Sequence, residues 1–373
     1  MGAMSDRQTH GEAGVPRHLD LVIVGAGFAG MYMLVRARQL GFTASVIEAG
    51  QDVGGTWYWN RYPGARCDIE SLEYSYGFDY ALQQEWKWSE RFAPQPEILA
   101  YARHVAERFD LARDIRFGTR VTRAWFDAAG GQWSVGTDTG LELRSRFVVM
   151  ATGSLSSTNL PAIPGRESFM GPSYHTGAWP HEPVDFTGKR VGVIGTGSSA
   201  VQSIPVIAAE AAELHVFQRT AAYSVPAHNA SLDADYEAQV KADYREFRRR
   251  NELMPAGFGS NLRANEQSAL AASAAQREVE FEQRWRSGGL GSRAPLATSS
   301  SMRAPTSSPR NSCAARSVSW SPTRPPPRCC RRRNRWPASA CVSIPATTGP
   351  STCRMCIWSI SAAAASRESR RKA

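Results

Sequence analysis

Glycines followed at a fixed distance by an acidic residue are the first pattern in this chain that could do chemistry. Gly25, Gly27 and Gly30 form a Gly-x-Gly-x-x-Gly run, and Glu48 lies 18 residues beyond Gly30. Glycine at these positions permits a tight turn, a close backbone approach to a pyrophosphate, and close packing of a helix on a strand. The N-terminus of that helix then faces the phosphates, and the acid accepts hydrogen bonds from ribose hydroxyls. The pattern predicts a dinucleotide site.

The elements that must hold this site surround it in the sequence. Leu19–Val24 is a short apolar run typical of a buried parallel strand, and a helical pattern extends from the glycines to Leu40. A second strand is predicted at Thr43–Glu48, which completes a βαβ unit. The alternative is a glycine-rich turn that only packs, but strand, helix and acid in register favour the nucleotide site.

A second glycine motif opens another helix. Gly195-x-Gly197-x-x-Ala200 follows the apolar strand Val191–Ile194. Two dinucleotide folds in one chain suggest one flavin and one nicotinamide. Gly54–Trp57, which follows the first motif, has glycines that permit a close approach to an isoalloxazine ring. The sequence therefore predicts FAD at the first motif and a nicotinamide dinucleotide at the second.

The residues after the next strand bear on the choice of nicotinamide dinucleotide. Glu213–Gln218 is predicted to be that strand, and it is followed by Arg219 and Thr220 rather than by an acid. An acid there would repel a 2′-phosphate, whereas arginine pairs with it and threonine hydrogen-bonds to it. The pattern favours NADPH over NADH; the alternative is that Arg219 is a solvated surface charge.

Between the two motifs lies Phe169–Pro180, FMGPSYHTGAWP, which has neither helical nor strand period. Its spacing, Phe-x-Gly-x-x-x-His-x-x-x-Trp-Pro, resembles the fingerprint of the type I Baeyer–Villiger monooxygenases. Gly54–Asp68, GGTWYWNRYPGARCD, resembles a second signature of that family. The resemblance covers about residues 18–291. Related flavin N- and S-oxygenases share the two glycine motifs, and they remain an alternative.

The resemblance implies an activity. Members of the family use NADPH, FAD and O2 to convert a small-molecule ketone, through a flavin C4a-peroxide, into an ester or lactone. The connector would link two domains that rotate during the cycle. His175 is then expected to couple that motion rather than to donate a proton to substrate, with Trp179 beside it. The alternative is a satisfied loop histidine and a core tryptophan.

The resemblance also assigns roles near the cofactors. Asp68 matches the family's active-site carboxylate, the alternative being an aspartate that caps a turn. Arg66 is expected to face the nicotinamide cofactor. The candidate FAD residues are Gly25, Gly27, Phe28, Gly30, Glu48, Gly55, Thr56, Trp57, Asp68, Tyr74 and Val121. The candidate NADP residues are Gly195, Thr196, Gly197, Ser198, Ser199, Ala200, Arg219 and Thr220, together with Arg66.

Charge and cysteine are concentrated at the C-terminal end. Residues 292–373 hold 14 Arg and 1 Lys against the single acid Glu368, so their +14 leaves −4 for residues 1–291 in a total of +10. Cys67 is the one cysteine before residue 292. The main body is therefore not expected to bind nucleic acid, and its cysteine usage is that of a cytoplasmic protein.

Other classes of site are disfavoured. No apolar run approaches the roughly 18 residues of a membrane span, so no membrane partner is expected. The CxxC pair Cys353–Cys356 has no partner pair, and no metal site is expected. The sequence leaves the oligomeric state open.

The composition changes at about Gly291. Residues 292–373 contain one Leu, no Phe and no Tyr, and they offer no periodic apolar face. One codon set for Cys353–Ala364, read in the neighbouring frame, gives Leu-Pro-Asn-Val-His-Leu-Val-Asp-Ile-Ser-Gly-Gly, an alternating strand. We therefore expect a frameshift. The family resemblance implies an essential cation, the arginine of a Lys-Arg pair beyond the second glycine motif, which the frameshift would remove. Weak FAD retention and uncoupled NADPH oxidation are then expected. The rival is a disordered basic tail that binds nucleic acid.

These observations predict an α/β fold with two Rossmann-like dinucleotide-binding domains, one for FAD and one for NADP, a helical insertion and a disordered C-terminal tail. The expected boundaries are a flexible lead-in at 1–17, an FAD domain at 18–155, the connector and NADP domain at 156–229, a helical subdomain at 230–291 and the tail at 292–373.

Overall fold

The structure is a computed structural model of the 373-residue chain. It describes residues 18–219, 224, 226–254, 256–259 and 271–289, and the backbone of two strands at 341–344 and 355–361. Thr220, Cys353 and the lead-in at 1–17 lie outside the described residues.

Within these ranges the chain forms ten strands and eight α-helices. In chain order they are β1 (His18–Val24), α1 (Phe28–Gln39), β2 (Ala44–Ile47), α2 (Thr56–Trp59), α3 (Tyr80–Glu85), α4 (Gln95–Arg108), β3 (Ile115–Arg116), β4 (Val121–Asp127), β5 (Gln132–Thr137), β6 (Glu142–Met150), β7 (Arg190–Ile194), α5 (Ser198–Glu210), β8 (Glu213–Gln218), α6 (Ala234–Ala242), α7 (Tyr244–Glu252), α8 (Ala274–Ser287), β9 (Cys341–Ile344) and β10 (Met355–Ser361). They divide into two compact units. The first unit comprises 18–60 and Ile98–Ala178, and the second comprises Arg61–Glu97 and the described residues from Trp179 onward.

The first unit is built on a six-stranded sheet with the order β3-β2-β1-β6-β5-β4. Its central strand, β1, pairs in parallel with β2 on one side and with β6 on the other. Val22 and Ile23 on β1 are both 0% exposed, so this strand is covered on both faces. That burial explains why β1 reads as a continuous apolar run rather than as an alternating pattern.

Helix α1 lies close to the end of β1 because two glycines allow it. Gly25 has φ +103°, a conformation that disfavours other residues. A Cβ added at Gly30 would lie 1.8 Å from the carbonyl oxygen of Gly25. The first glycine motif therefore makes the turn and the close helix packing that the sequence predicts.

Strand β6 is longer than the sequence predicts. The apolar run Phe147–Ala151, FVVMA, predicts a strand, but β6 begins five residues earlier, at Glu142. Its first half pairs antiparallel with β5, and there Leu143 and Ser145 are buried at 1% and 2% exposure between exposed charged residues. The prediction followed only the apolar run, so it missed the half of the strand that is exposed on one face.

The second unit contains a four-stranded sheet with the order β7-β8-β10-β9. β7 and β8 pair in parallel, as expected for a strand–helix–strand unit. Ile204 and Ile207 of α5 pack with Leu214 and Val216 of β8 in one buried cluster. The mixed α/β architecture and its Rossmann-like sheet are as predicted.

The expectation that residues 292–373 lack regular structure is wrong for two segments. β10 pairs antiparallel with β8, from Cys356 opposite Gln218 to Ser361 opposite Glu213, and β9 pairs with β10. A strand at a sheet edge exposes N–H and C=O groups that need partners, and main-chain pairing can meet that need without a periodic apolar pattern. Composition alone therefore did not exclude strands here.

Residues 230–287 include the helices that their charged, helical pattern predicts. Asp233 and Asp243 cap α6 and α7 by accepting backbone N–H bonds from Tyr236 and Glu246. Ser273 forms a capping box at the start of α8. Among the described helices none combines the length and apolar character needed to cross a membrane.

A partly buried carboxyl group, that of Glu73, lies in the second unit beside α7. The N–H of Gly259 donates to its Oε1 at 3.0 Å, and the guanidinium of Arg248 donates to its main-chain oxygen at 2.8 Å. Burial raises the pKa of Glu73 to about 7, and the nearby Glu70 acts in the same direction. This carboxyl therefore titrates near neutral pH in the folded chain.

Replacing Gly30 tests the packing of α1 on β1. The substitution Gly30→Ala adds about 1 kcal/mol of helix propensity. The 1.8 Å approach to a backbone oxygen outweighs that gain. We expect Gly30→Ala to lower the free energy of unfolding by about 3 kcal/mol, measured by urea denaturation. Ala29→Ser, at an exposed position in the same turn, serves as the control. A Gly30→Ala variant as stable as the parent would contradict this packing.

Glu73 predicts a pH dependence of stability. Its folded-state pKa of about 7 lies above the ordinary value of 4.5, so the folded chain holds the proton more tightly. The stability from this group is present below the unfolded pKa and is lost as pH rises through the folded pKa.

We therefore compare the free energy of unfolding of Glu73→Gln with that of the parent. After allowance for solvent screening, we expect the difference to favour the variant by about 1–3 kcal/mol more at pH 8 than at pH 4. Urea denaturation at both pH values measures it. Glu252→Gln, an exposed change on α7, is the control. An equal difference between Glu73→Gln and the parent at both pH values would contradict the prediction.

Candidate dinucleotide sites

The first glycine motif in the first unit meets the segment that follows β2. Gly27 stands at the N-cap of α1, where glycine has no side chain that could accept a hydrogen bond from the helix N–H groups. The N–H of Gly54 donates to the carbonyl of Ala26 at 3.1 Å. A Cβ added at Gly55 would lie 2.8 Å from the Cα of Gly27. The two glycine segments are thus packed backbone to backbone at the positive end of α1.

The acid predicted to serve this site is also present there. The carboxylate of Glu48 is 5% exposed and accepts the N–H of Ala26 at 2.6 Å and the N–H of Gly50 at 2.7 Å, one on each oxygen. These bonds orient the carboxylate on the turn between β1 and α1. An ionised carboxylate has about four acceptor positions, so capacity for ribose hydroxyls remains.

The other candidate residues of the first unit lie on neighbouring elements. Thr56 and Trp57 begin α2, where Trp57 is buried at 7% exposure. Phe28 is the first residue of α1, and its ring lies 6.1 Å from that of Tyr101. Val121 is half-buried at the start of β4.

The second glycine motif repeats the turn geometry in the second unit. Gly195 has φ +107°, and its N–H donates to the carbonyl of Phe217 at 2.8 Å. Gly197 is the N-cap of α5, again without a side-chain capping bond. Among the residues that the structure describes, apart from its own chain neighbours, none has an atom within 4 Å of a Cβ added at Gly197. The N-terminus of α5 is therefore not crowded at Gly197 by the described residues, and helix N-termini with free N–H groups suit a phosphate.

Other residues of this motif follow the same plan. Ala200, at the third position, is buried at 8% exposure, where its small side chain lets α5 pack on the sheet. Arg219 is exposed immediately after β8. Thr196 lies in the turn, and Ser199 in the first turn of α5 accepts the hydroxyl of Ser203 on its main-chain oxygen at 2.9 Å.

Asp68 belongs to the second unit and lies against the first turn of α5. The hydroxyl of Ser198 donates to one carboxylate oxygen at 3.2 Å, and the side-chain amide of Gln202 donates to the other at 3.2 Å. The sequence-based expectation placed Asp68 beside the flavin. That expectation stays a prediction, and the described hydrogen-bond partners of Asp68 belong to the helix of the second glycine motif.

Arg66 is engaged in the same unit. Its guanidinium donates to Glu90 at 2.8 Å and to the carbonyl of Phe92 at 3.1 Å. Although burial acts in the opposite direction, the hydrogen bonds from Arg66 and Asn229 hold the pKa of Glu90 below its ordinary value. These contacts fix Arg66 as part of the loop, beside a charged carboxylate.

Two further candidates, Tyr74 and His175, lie outside both glycine motifs in the sequence, and their cited hydrogen bonds are to other residues. Tyr74 lies in a turn of the second unit, where its N–H donates to the carbonyl of Glu70 at 2.9 Å. His175 lies near the end of the first unit. Its Nδ1 accepts the N–H of Gly177 at 3.0 Å, and it forms a β-bridge with Ala178, the last residue of that unit. The sequence boundary between the units falls directly after Ala178, inside the fingerprint.

Three residues that match no nucleotide-binding pattern in the sequence also lie where the loop before Asp68 meets α5. Tyr62, Gly64 and Gln202 join the loop before Asp68 to α5. Gln202 lies only two residues beyond the Gly-x-Gly-x-x-Ala motif, but a single glutamine on a helix carries no periodic signal. The Pro63-Gly64 pair is a turn signal, so the positive φ of Gly64, +76°, is the one of these features that the sequence could predict.

The residues present suit dinucleotides better than metals. Each unit offers a glycine turn, a helix N-terminus without a side-chain cap, and buried packing beneath it. Among the described residues no group of three or more His, Cys, Asp or Glu side chains could hold a metal ion.

Comparison with known proteins agrees with this geometry. Residues 22–280 match the model of the family described as pyridine nucleotide-disulphide oxidoreductase. A Baeyer–Villiger monooxygenase of Pseudooceanicola batsensis is 41% identical over 285 residues, which is 76% of this chain and 51% of that protein. A phenazine N-monooxygenase of Lysobacter antibioticus is 41% identical over 274 residues, 73% of this chain and 50% of that protein.

Solved structures give the same result. A steroid monooxygenase bound to NADP superposes with a TM-score of 0.71 at 54% identity, covering 75% of this chain and 53% of that chain. The chain spans about half the length of the curated relatives it matches. From the match to residues 22–280, the chain belongs to the pyridine nucleotide-disulphide oxidoreductase family, and its predicted resemblance to the Baeyer–Villiger monooxygenases is confirmed.

Proposed function

We propose that the chain carries the FAD- and NADPH-binding machinery of a Baeyer–Villiger monooxygenase. The reaction converts a ketone, NADPH, a proton and O2 into an ester or lactone, NADP+ and water. The observation that carries the proposal is the pair of glycine turns, each at an uncapped helix N-terminus in its own unit, with the fingerprint motif between them in sequence. The relatives named as Baeyer–Villiger, acetone and cyclohexanone monooxygenases support it.

FAD is assigned to the first unit. When bound, this cofactor supplies hydride acceptance and oxygen activation. Gly27 and the N-terminus of α1 suit its pyrophosphate, and Glu48 suits a ribose. Gly55, Thr56 and Trp57 extend the same surface. The packing of Gly55 on Gly27 supports placing all of these residues at one cofactor.

NADPH is assigned to the second unit. The open space beside Gly197 suits a pyrophosphate at the N-terminus of α5. Arg219, exposed after β8, suits the 2′-phosphate that distinguishes NADPH from NADH.

Asp68 and His175 are proposed as functional residues of different kinds. The carboxylate of Asp68 is oriented by hydrogen bonds on both oxygens, so it can hold a cation in a fixed place near the nicotinamide site. His175 is proposed to shape the connector, because its imidazole closes the turn immediately before the boundary between the units. Neither proposal requires a proton transfer to substrate.

A second candidate is oxygenation of nitrogen rather than of a ketone. It is favoured by one observation: the phenazine N-monooxygenase is as identical to this chain, at 41%, as the Baeyer–Villiger monooxygenase is. Both activities need the same two cofactors, so the glycine turns do not discriminate them. Products from a cyclic ketone and from a phenazine do.

The out-of-frame origin of residues 292–373 remains our prediction for this chain. Sequencing the gene across the codons for residues 285–300 tests it. An extra base that restores a long reading frame in independent isolates supports it, and the same frame as here in all isolates contradicts it.

An assay of the purified 373-residue chain tests the function. With FAD, NADPH and cyclohexanone we expect FAD-dependent NADPH oxidation that releases hydrogen peroxide rather than stoichiometric ester, because the predicted frameshift would remove the Lys-Arg pair that the family resemblance implies. Arg219→Ala should lower the preference for NADPH over NADH about tenfold. NADPH consumption, peroxide and ester are measured together.

The outcomes are distinct. Absence of any FAD-dependent NADPH oxidation by a folded chain contradicts the proposed function. Stoichiometric ester confirms the activity and overturns the expectation of uncoupling. Oxygenation of a phenazine without ester formation selects the second candidate.

A further inference from the structure

The amide of Gln202 is shared among four partners in one loop. Its Oε1 accepts the hydroxyl of Tyr62 at 2.9 Å and the N–H of Arg66 at 3.3 Å. Its Nε2 donates to the carbonyl of Arg66 at 3.1 Å and to Asp68 at 3.2 Å. A primary amide offers two donors and two acceptor positions, so this network uses all four.

The backbone of the same loop is packed against the same helix residue. Gly64 has φ +76°, and a Cβ there would lie 2.4 Å from the main-chain oxygen of Gln202 and 3.1 Å from a methyl group of Val206. The loop therefore touches α5 through both its side chains and its backbone. Both contacts centre on one turn of α5, the turn after the glycine motif.

We propose that Gln202 is a positioning residue that holds residues 61–68 on α5 and orients the Asp68 carboxylate at the first turn of that helix. Asp68 is oriented from two sides, since Ser198 donates to its other oxygen. Glutamine suits this position because it offers a donor to a carboxylate and an acceptor to a backbone N–H from one planar group. Leucine or methionine offers neither, and a glutamate would turn an acceptor toward another carboxylate.

Amide hydrogen exchange at Arg66 reports whether Gln202 holds the loop on α5. In the full chain, Gln202→Met keeps the length of the side chain and removes all four hydrogen bonds. We expect the exchange rate of the Arg66 amide hydrogen to rise about tenfold or more. The Cys67 amide bonds to the carbonyl of Ala93 at 3.1 Å and serves as the internal reference, expected to change less than about twofold.

Two further variants sharpen this measurement. Gln202→Glu retains the acceptor for Tyr62 and the Arg66 N–H but loses both donors, so we expect an intermediate rise at Arg66. Glu210→Gln, an exposed change near the end of α5, should leave both amides as in the parent. An unchanged Arg66 amide in Gln202→Met, or an equal rise at Arg66 and Cys67, would overturn the positioning role.

The functional part rests on the proposed function, since it concerns NADP+ bound at α5. If Gln202 acts through Asp68, then Gln202→Met and Asp68→Asn affect the same step. Calorimetric titration of the parent, both single variants and the double variant with NADP+ measures the coupling. We expect the double variant to bind within about twofold of the weaker single variant. If the fold-increase in Kd of the double variant instead equals the product of the increases in the two single variants, the link between Gln202 and Asp68 is overturned.

The NADP+ site and the positioning role of Gln202 are tested by different measurements, so each can be contradicted without the other. If the folded parent chain binds no NADP+, the proposed function fails at this site. The exchange rates of Arg66 and Cys67 still decide whether Gln202 holds the loop, because they require no nucleotide.

Discussion

The close approach of backbone to backbone at glycine is the constraint on which both sites depend. In the first unit α1 can begin directly at the end of β1 only because Gly30 has no Cβ to meet the Gly25 oxygen at 1.8 Å. The same absence lets Gly55 lie on Gly27. A larger residue at Gly30 would separate the helix end from the sheet, and one at Gly55 would push its own segment away from the helix end. Either change would disturb the place where a phosphate would bind.

The two glycine turns have different charged residues beside them, and the local structure accounts for the place of each charge. In the first unit an acid, Glu48, is held by two backbone N–H groups at the turn, so its negative charge is partly satisfied before any ribose binds. In the second unit the corresponding strand end carries an exposed arginine. Asp68 adds a carboxylate to the first turn of α5, where the helix dipole favours negative charge. The side chain of Gln202 links this carboxylate to its own loop.

Much of this architecture could be predicted from the sequence, since its signals are local. The βαβ starts, the two glycine turns and the acid at Glu48 combine short periodic runs with residues whose backbone conformation is restricted. Gly130–Gly131, a glycine pair typical of turns, lies between β4 and β5 and is a local signal of the same kind for their hairpin. The first half of β6 was missed because alternation of charge with a few buried residues is a weak signal.

What the sequence could not supply were contacts across many residues. Nothing local indicates that Gln202 would meet Tyr62, 140 residues away, or that Asp68 would lie on α5. The strands β9 and β10 are a related case, because main-chain pairing with β8 imposes little on the side-chain pattern. In each instance the partner is set by the tertiary fold rather than by spacing along the chain.

The central claim is that the chain has two separate dinucleotide sites, one at each glycine turn. Titration with ADP, the fragment common to FAD and NADPH, counts them directly in the full chain. We predict two sites, of which Gly27→Ala removes one and Gly197→Ala the other, because each Cβ would stand where the backbone must approach a pyrophosphate. Both variants should fold, since neither Cβ comes closer than 3.5 Å to another part of the described chain. A single site, or two sites that survive both substitutions, would contradict the account.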